Sequence, residues 1–217
     1  MLRLVVLISG TGSNLQAILD ACGQNPANPP ATPLNARVVG VFSNKAEAAG
    51  LQRARACGVP VHSLSHTDHA DREAFDQAMI RVLDAWQPDL VVLAGFMRIL
   101  SAGFVQHYAG RLINVHPSLL PKFKGMHTHQ RALEAGETEH GCSVHFVTPE
   151  LDGGPVIAQG VVRVESHDTP ETLAARVHAV EHRVYPAVIG LIADGRLTWH
   201  PDHLRLDGAV LREPVRG

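Results

Sequence analysis

Short aliphatic runs alternate with amphipathic segments along most of this chain, and that rhythm restricts the fold more than any single residue does. Leu2–Ile8 is an unbroken aliphatic run, the pattern of a strand buried on both faces. Ser13–Cys22 reads as a helix with Leu15, Ile18 and Leu19 on one stripe. Gly23–Asn35 holds four prolines and is expected as a loop. Arg37–Ser43 is a second strand, Ala48–Cys57 a helix closed by Gly58, and Val59–Ser63 a short third strand. Asp71–Trp86 places Phe75, Met79, Val82 and Leu83 on one helical face, and Gln87-Pro88 ends it. Leu90–Ala94 and Leu112–Val115 are further strands, with a short helix over Ser101–Tyr108 between them. Thr128–Ala135 is a helix, Cys142–Thr148 and Val156–Val164 are strands, and Thr169–Ala193 is a long helix opened by Pro170 at its first turn. The residues after Gly195 read as irregular or hairpin structure, with a mobile end over Asp202–Gly217.

Strands alternating with helices imply an α/β fold with a mostly parallel twisted sheet and helices on both faces. In such sheets ligands bind beyond the carboxyl ends of the strands. The chain's polar motifs fall there: Gly10–Asn14 after the first strand, Gly95–Leu100 after the fourth, and Asn114–His116 ending the fifth.

Composition removes several classes of function. A formal charge of −2 over 217 residues gives no basic field for nucleic acid. No run of about 18 apolar residues occurs, so no membrane span is expected. The apolar start is short and runs into a glycine turn, which suits a first buried strand rather than a secretory leader. Cys22, Cys57 and Cys142 are far apart and odd in number, so reduced thiols in a cytoplasmic protein are expected. The 14 histidines include the group His62, His66 and His69 and the pair His127 and His129, but none has the spacing of a helical zinc site, and no metal is expected.

In Leu112-Ile113-Asn114-Val115-His116-Pro117, a carboxamide and an imidazole stand two residues apart, hence on one face of a strand that Pro117 stops. One side chain can donate to an oxyanion and the other can carry a proton. Asp152 follows in a glycine-rich turn, Asp152-Gly153-Gly154-Pro155, where it reads either as a turn residue or as a third functional group. Together they suggest acyl-transfer chemistry. Gly10-Thr11-Gly12-Ser13-Asn14 reads as a phosphate-binding turn at a helix N-terminus, or as an ordinary turn capped by Ser13. A dinucleotide site is disfavoured, because the third glycine is missing and the second strand ends in Ser43-Asn44-Lys45 rather than an acid. Ser143 and His145, also two apart on a strand, admit either a place in the same cleft or a structural role. Met97–Leu100 reads as pocket lining or as packed loop, and Glu181 is left open by its helical setting.

These residues resemble the phosphoribosylglycinamide formyltransferases, a folate-dependent family. The likeness rests on Val6–Ile18, Phe42–Lys45, Leu93–Leu100, Asn114–Pro121 and Gly141–Pro155, and runs from about Leu2 to His200. It implies a Rossmann-like formyltransferase fold, with a formyltransferase domain over residues 1–200 and a tail over 201–217. It also implies formyl transfer from the co-substrate 10-formyltetrahydrofolate to the amine of 5-phosphoribosylglycinamide in purine biosynthesis. By the same resemblance, Asn114, His116 and Asp152 form the catalytic trio. Gly12, Ser13, Asn14 and Glu181 hold the ribonucleotide. Arg72, Met97, Arg98, Ile99, Leu100, Asn114, Thr148, Pro149, Glu150, Leu151 and Asp152 line the folate site. The expected partners are those two small molecules, with no nucleic acid, no membrane and either a monomer or a homodimer.

The chain departs from the family pattern at Cys142, where threonine is expected, at His178, where glutamine is expected, and in a proline-rich insertion over Asn25–Pro33. The rival readings are a tRNA formyltransferase, a formyltetrahydrofolate hydrolase and a non-catalytic nucleotide-binding module on the same scaffold.

Overall fold

A computed structural model describes residues Met1–Gly217, which form two compact units, Met1–Ile113 and Asn114–Gly217. In the first unit the strands are β1 (Leu2–Ile8), β2 (Ala36–Ser43), β3 (Val61–Ser63) and β4 (Leu90–Leu93), and β5 (Leu112–His116) begins at its end. Its helices are α1 (Ser13–Ala21), α2 (Gly50–Ala56), α3 (Arg72–Ala85) and α4 (Ala102–His107). The strands lie in the order β3-β2-β1-β4, and the pairs β1–β2, β1–β4 and β2–β3 are parallel.

Leu4 through Ile8 are completely buried, as a strand covered on both faces requires. Leu15, Ile18 and Leu19 of α1 are equally buried, and so are Phe75, Met79 and Leu83 of α3. Each such side chain contributes about 1.5–3 kcal/mol by leaving water. Val82, expected on the same face of α3, is only half-buried, and Ile80 is the more covered residue. The Asp71 side chain caps α3 by accepting from the Ala74 N–H at 2.8 Å.

The second unit takes up β5 at Asn114. It adds α5 (Thr128–Glu134), β6 (Glu139–Phe146), β7 (Val156–Arg163), α6 (Pro170–Ala193), β8 (Leu197–His200), β9 (His203–Leu206), β10 (Ala209–Val210) and β11 (Val215–Arg216). The order is β5-β6-β7-β11. β6 and β7 are antiparallel, with an irregularity between Val144 and His145, and β7 and β11 are parallel. Leu173, Val177, Val180, Val184 and Val188 give α6 its buried stripe, which packs on β6 and β7. Thr169 and Thr172 form a reciprocal cap, with Pro170 in the first turn.

One expectation needs correction, and another resolves between its two alternatives. β6 begins at Glu139 and ends at Phe146, three residues earlier at its start than the apolar pattern indicated, and Thr148 lies beyond it. After Gly195 the chain takes the hairpin form of the two that the sequence allowed. β8, β9 and β10 make a small antiparallel sheet, tied by Arg196 to Asp207 through two bonds of 2.8 Å, and Val215 and Arg216 extend the row beside β7. No helix is long and apolar enough to cross a membrane.

Candidate active site

In the second unit, β5 ends at His116, and the chain turns back through a loop that reaches Gly125. Asn114 and His116 stand two apart, Asn114 facing His145 and His116 facing Asp152. His116 is 5% exposed. Its Nε2 lies 2.9 Å from the Phe123 carbonyl oxygen, which can only accept, so this nitrogen carries a proton. Nδ1 is thereby turned to Asp152, whose Oδ2 is 3.5 Å away. The same Oδ2 accepts from the Gly125 N–H at 2.9 Å.

Asp152 has a left-handed backbone (φ 47°), which asparagine and aspartate tolerate better than most residues. The turn is tight. A Cβ on Gly154 would lie 1.8 Å from the Phe146 carbonyl oxygen, so only glycine closes it in this form.

His145 completes the cluster. Its Nδ1 is 2.9 Å from the Phe146 carbonyl oxygen, its Nε2 is 3.2 Å from Asn114 Nδ2, and that Nε2 is 4.0 Å from Asp152 Oδ1. Burial pushes the His145 imidazole below the usual histidine range, against the opposing pull of the Phe146 carbonyl and of Asp152. The three residues expected to act together are therefore brought together, and His145 joins them. An amide N–H beside an imidazole–carboxylate pair can stabilise an oxyanion and move a proton.

Ser143 takes the structural role. Its hydroxyl donates to the Ser118 carbonyl at 2.7 Å and accepts from the Leu120 N–H at 2.9 Å, while Gln159 Nε2 donates to the Leu120 carbonyl at 2.9 Å. This buried network pins the start of the loop that delivers the Phe123 carbonyl. Sequence reasoning passed over Gln159, Phe123 and Gly125. The last two act through backbone atoms, for which a sequence carries no signal.

Elsewhere in the second unit, Thr148 is half-buried, and Pro149, Glu150 and Leu151 are exposed beside Asp152. Glu150 pairs with Lys124 at 2.7 Å. Glu181 is 4% exposed in α6, which rules out a solvated position. Burial, and then the Glu181 charge, push the Cys142 thiol up to about 12, so this cysteine is no nucleophile at neutral pH.

In the first unit, Gly12 rather than Ser13 caps α1, and as a glycine it offers no side-chain cap. Gly12 is left-handed (φ 71°), and a Cβ there would approach the Gly50 Cα to 2.7 Å. The Thr11 carbonyl accepts from Arg53 Nε at 2.8 Å, so a guanidinium borders the turn. A helix N-terminus without a capping side chain at its N-cap, with an arginine alongside, suits an anion. Ser13 is half-buried and Asn14 is 8% exposed.

The Gly95–Leu100 loop is tied back to β1, because Ser9 Oγ accepts from the Met97 N–H at 2.8 Å. Met97 and Ile99 are 64% and 62% exposed, Arg98 lies over the Phe75 ring at 5.0 Å, and Leu100 is half-buried. Arg72 is an exposed residue in the first turn of α3. No group of three histidine, cysteine or acidic side chains is placed to hold a metal.

Residues 2–189 match the family model described as formyl transferase. The chain belongs to the formyl transferase family. Its particular kinship is with the phosphoribosylglycinamide formyltransferases. It is 56% identical to the enzyme of that name from Escherichia coli (strain K12) over 210 residues, covering 97% of this chain and 96% of the relative. The solved phosphoribosylglycinamide formyltransferase of Coxiella burnetii superposes with a TM-score of 0.90 at 48% identity, covering 99% of this chain and 98% of that one. The chain is also 46% identical over 200 residues to the trifunctional purine biosynthetic protein adenosine-3 of Drosophila melanogaster, matching 92% of itself but 14% of that longer protein.

Proposed function

We infer that this chain transfers the formyl group of 10-formyltetrahydrofolate to the amine of 5-phosphoribosylglycinamide, a step of purine biosynthesis. The observation that carries this reading is the contiguous set Asn114, His145, Asp152 and His116 in a chain of this family.

The amine attacks the formyl carbon and gives a tetrahedral intermediate with charge on oxygen. Asn114 Nδ2–H and His116 donate to that oxygen, and one such preorganised donor is worth about 3–4 kcal/mol. The leaving nitrogen is aniline-like and needs a proton. His116 Nε2–H, aimed away from Asp152, passes its proton to that nitrogen once substrate replaces the Phe123 carbonyl, and the bond from the formyl carbon to the folate nitrogen breaks. The proton shed by the attacking amine restores the His116 ring, so one proton moves in net from the acceptor amine to the folate nitrogen, while Asp152 faces Nδ1. No metal is required by this chemistry, because the formyl donor is already activated.

Gly12, Ser13 and Asn14 bind the ribonucleotide phosphate, and Glu181 contacts the same substrate. Arg72, Met97–Leu100 and Thr148–Asp152 serve the folate. The formyltransferase region spans 1–200, with 201–217 as an extension, and the protein works in the cytoplasm as a monomer or homodimer.

The test is a formyl-transfer assay with three acceptors, namely 5-phosphoribosylglycinamide, a tRNA and water. Product is expected only with the first. Transfer to tRNA or release of free formate at a comparable rate would replace the reading with one of its rivals.

A further inference from the structure

The reading above leaves His145 without a task, although it is the most buried imidazole of the cluster, at 2% exposure. Its two nitrogens are not equivalent. The Phe146 carbonyl can only accept, so the 2.9 Å contact at Nδ1 puts the ring proton there. In the neutral ring Nε2 is then a bare lone pair, and it faces Asn114 Nδ2 at 3.2 Å. A carboxamide has a donor end and an acceptor end, and a lone pair accepts only the donor end. One N–H of Asn114 is thereby committed to His145, and the amide plane is set.

We propose that His145 is a positioning residue for formyl transfer: held with its proton on Nδ1, it orients the Asn114 carboxamide so that the second N–H meets the oxyanion. The proposal rests on the formyl-transfer reading.

The fold supplies the means. The strand irregularity between Val144 and His145 falls at this residue, and such irregularities re-aim side chains beside functional sites. The charged or titratable groups facing the ring are Asp152, His116 and Lys124. Asp152 draws a proton toward the ring; burial, His116 and Lys124 oppose it. A proton on Nε2 would repel the donor end of Asn114 and favour a flipped amide.

Two measurements test this. In protein labelled with 15N-histidine, without substrate, the His145 signals (assigned by their loss in His145→Leu) are expected to be pyrrole-like at Nδ1 and pyridine-like at Nε2 above pH 7. In kinetics, His145→Leu is expected to lower kcat about tenfold with little change in either KM, part of the 10²–10³-fold effect of a whole oxyanion donor. His145→Gln, which restores an acceptor, is expected to recover part of the loss. In an Asn114→Ala background His145→Leu is expected to cost nothing further, because the interaction it sets is already gone. A proton on Nε2, or a loss that adds fully to that of Asn114→Ala, overturns the proposal. Failure of the unmutated protein to formylate 5-phosphoribosylglycinamide would instead refute the underlying reading.

Discussion

His116 Nδ1 and Asp152 Oδ2 stand 3.5 Å apart, and that same oxygen accepts from the Gly125 backbone N–H. One carboxylate thus faces both a ring and a loop, and two substitutions separate those contacts. Asp152→Asn keeps an oxygen for Gly125 and removes the charge. Asp152→Ala removes both. If the charge matters, both lower kcat by roughly ten- to a hundredfold, the range of a positioned acid–base partner. Only the alanine variant should also raise KM. A nearly normal kcat in Asp152→Asn would confine Asp152 to the loop.

Asn114→Ala and His116→Ala are each expected to lower kcat by about 10²–10³-fold with modest changes in KM, because both act on charge that appears in the transition state. Steady-state kinetics with each substrate varied in turn checks this. A residue whose loss leaves kcat near the wild-type value leaves the mechanism.

Ser13→Ala is expected to raise KM for the ribonucleotide several-fold and leave that for the folate alone, since the α1 turn serves only the phosphate in this reading. Losing one hydrogen bond to a charged group costs about 1.5–3 kcal/mol at most. Equal effects on both KM values would contradict the phosphate assignment.

His129 Nδ1 and His140 Nε2 lie 3.1 Å apart, and His140 is 1% exposed. Burial, and then the neighbouring His129, push the His140 imidazole down to about 4. Burial lowers His129 as well. The sign follows from proton uptake. Well above pH 6.5 both rings are neutral in folded and unfolded chains, so stability is unaffected. As pH falls from 6.5 to 4 the unfolded chain takes up protons that the fold refuses, so stability falls. Below about 4 the loss levels off. A decline of about 1–2 kcal/mol over that window, discounted for solvent screening, is expected in denaturant melts. His140→Gln should flatten it, and an unchanged slope would rule out this pair as the source.

The parts of the fold that were legible are those where burial imposes a period. Leu4–Ile8 announces β1, and the stripes of α1 and α3 differ from expectation only at Val82. The start of β6 was missed because Glu139, His140 and Gly141 look unlike strand residues, although His140 is deeply buried. The C-terminal strands were legible only as one of two alternatives, irregular or hairpin, because at two to four residues each they are too short to impose a period. In the candidate site, Asn114, His116 and Asp152 were legible as candidates because the chemistry proposed for them uses side chains. Ser143 and His145 looked alike on paper, and partners decide between them: Ser118 and Leu120 for one, Asn114 for the other.

The approach of Gly12 to Gly50 bears on redesign of the turn that leads into α1. A Cβ on Gly50 would also meet Ile8 Cδ1 at 2.5 Å, so neither glycine accepts a side chain without parting α2 from the end of β1. Libraries aimed at a different acceptor should leave both positions alone, and Arg53 too because its Nε holds the Thr11 carbonyl, and should diversify the half-buried Ser13.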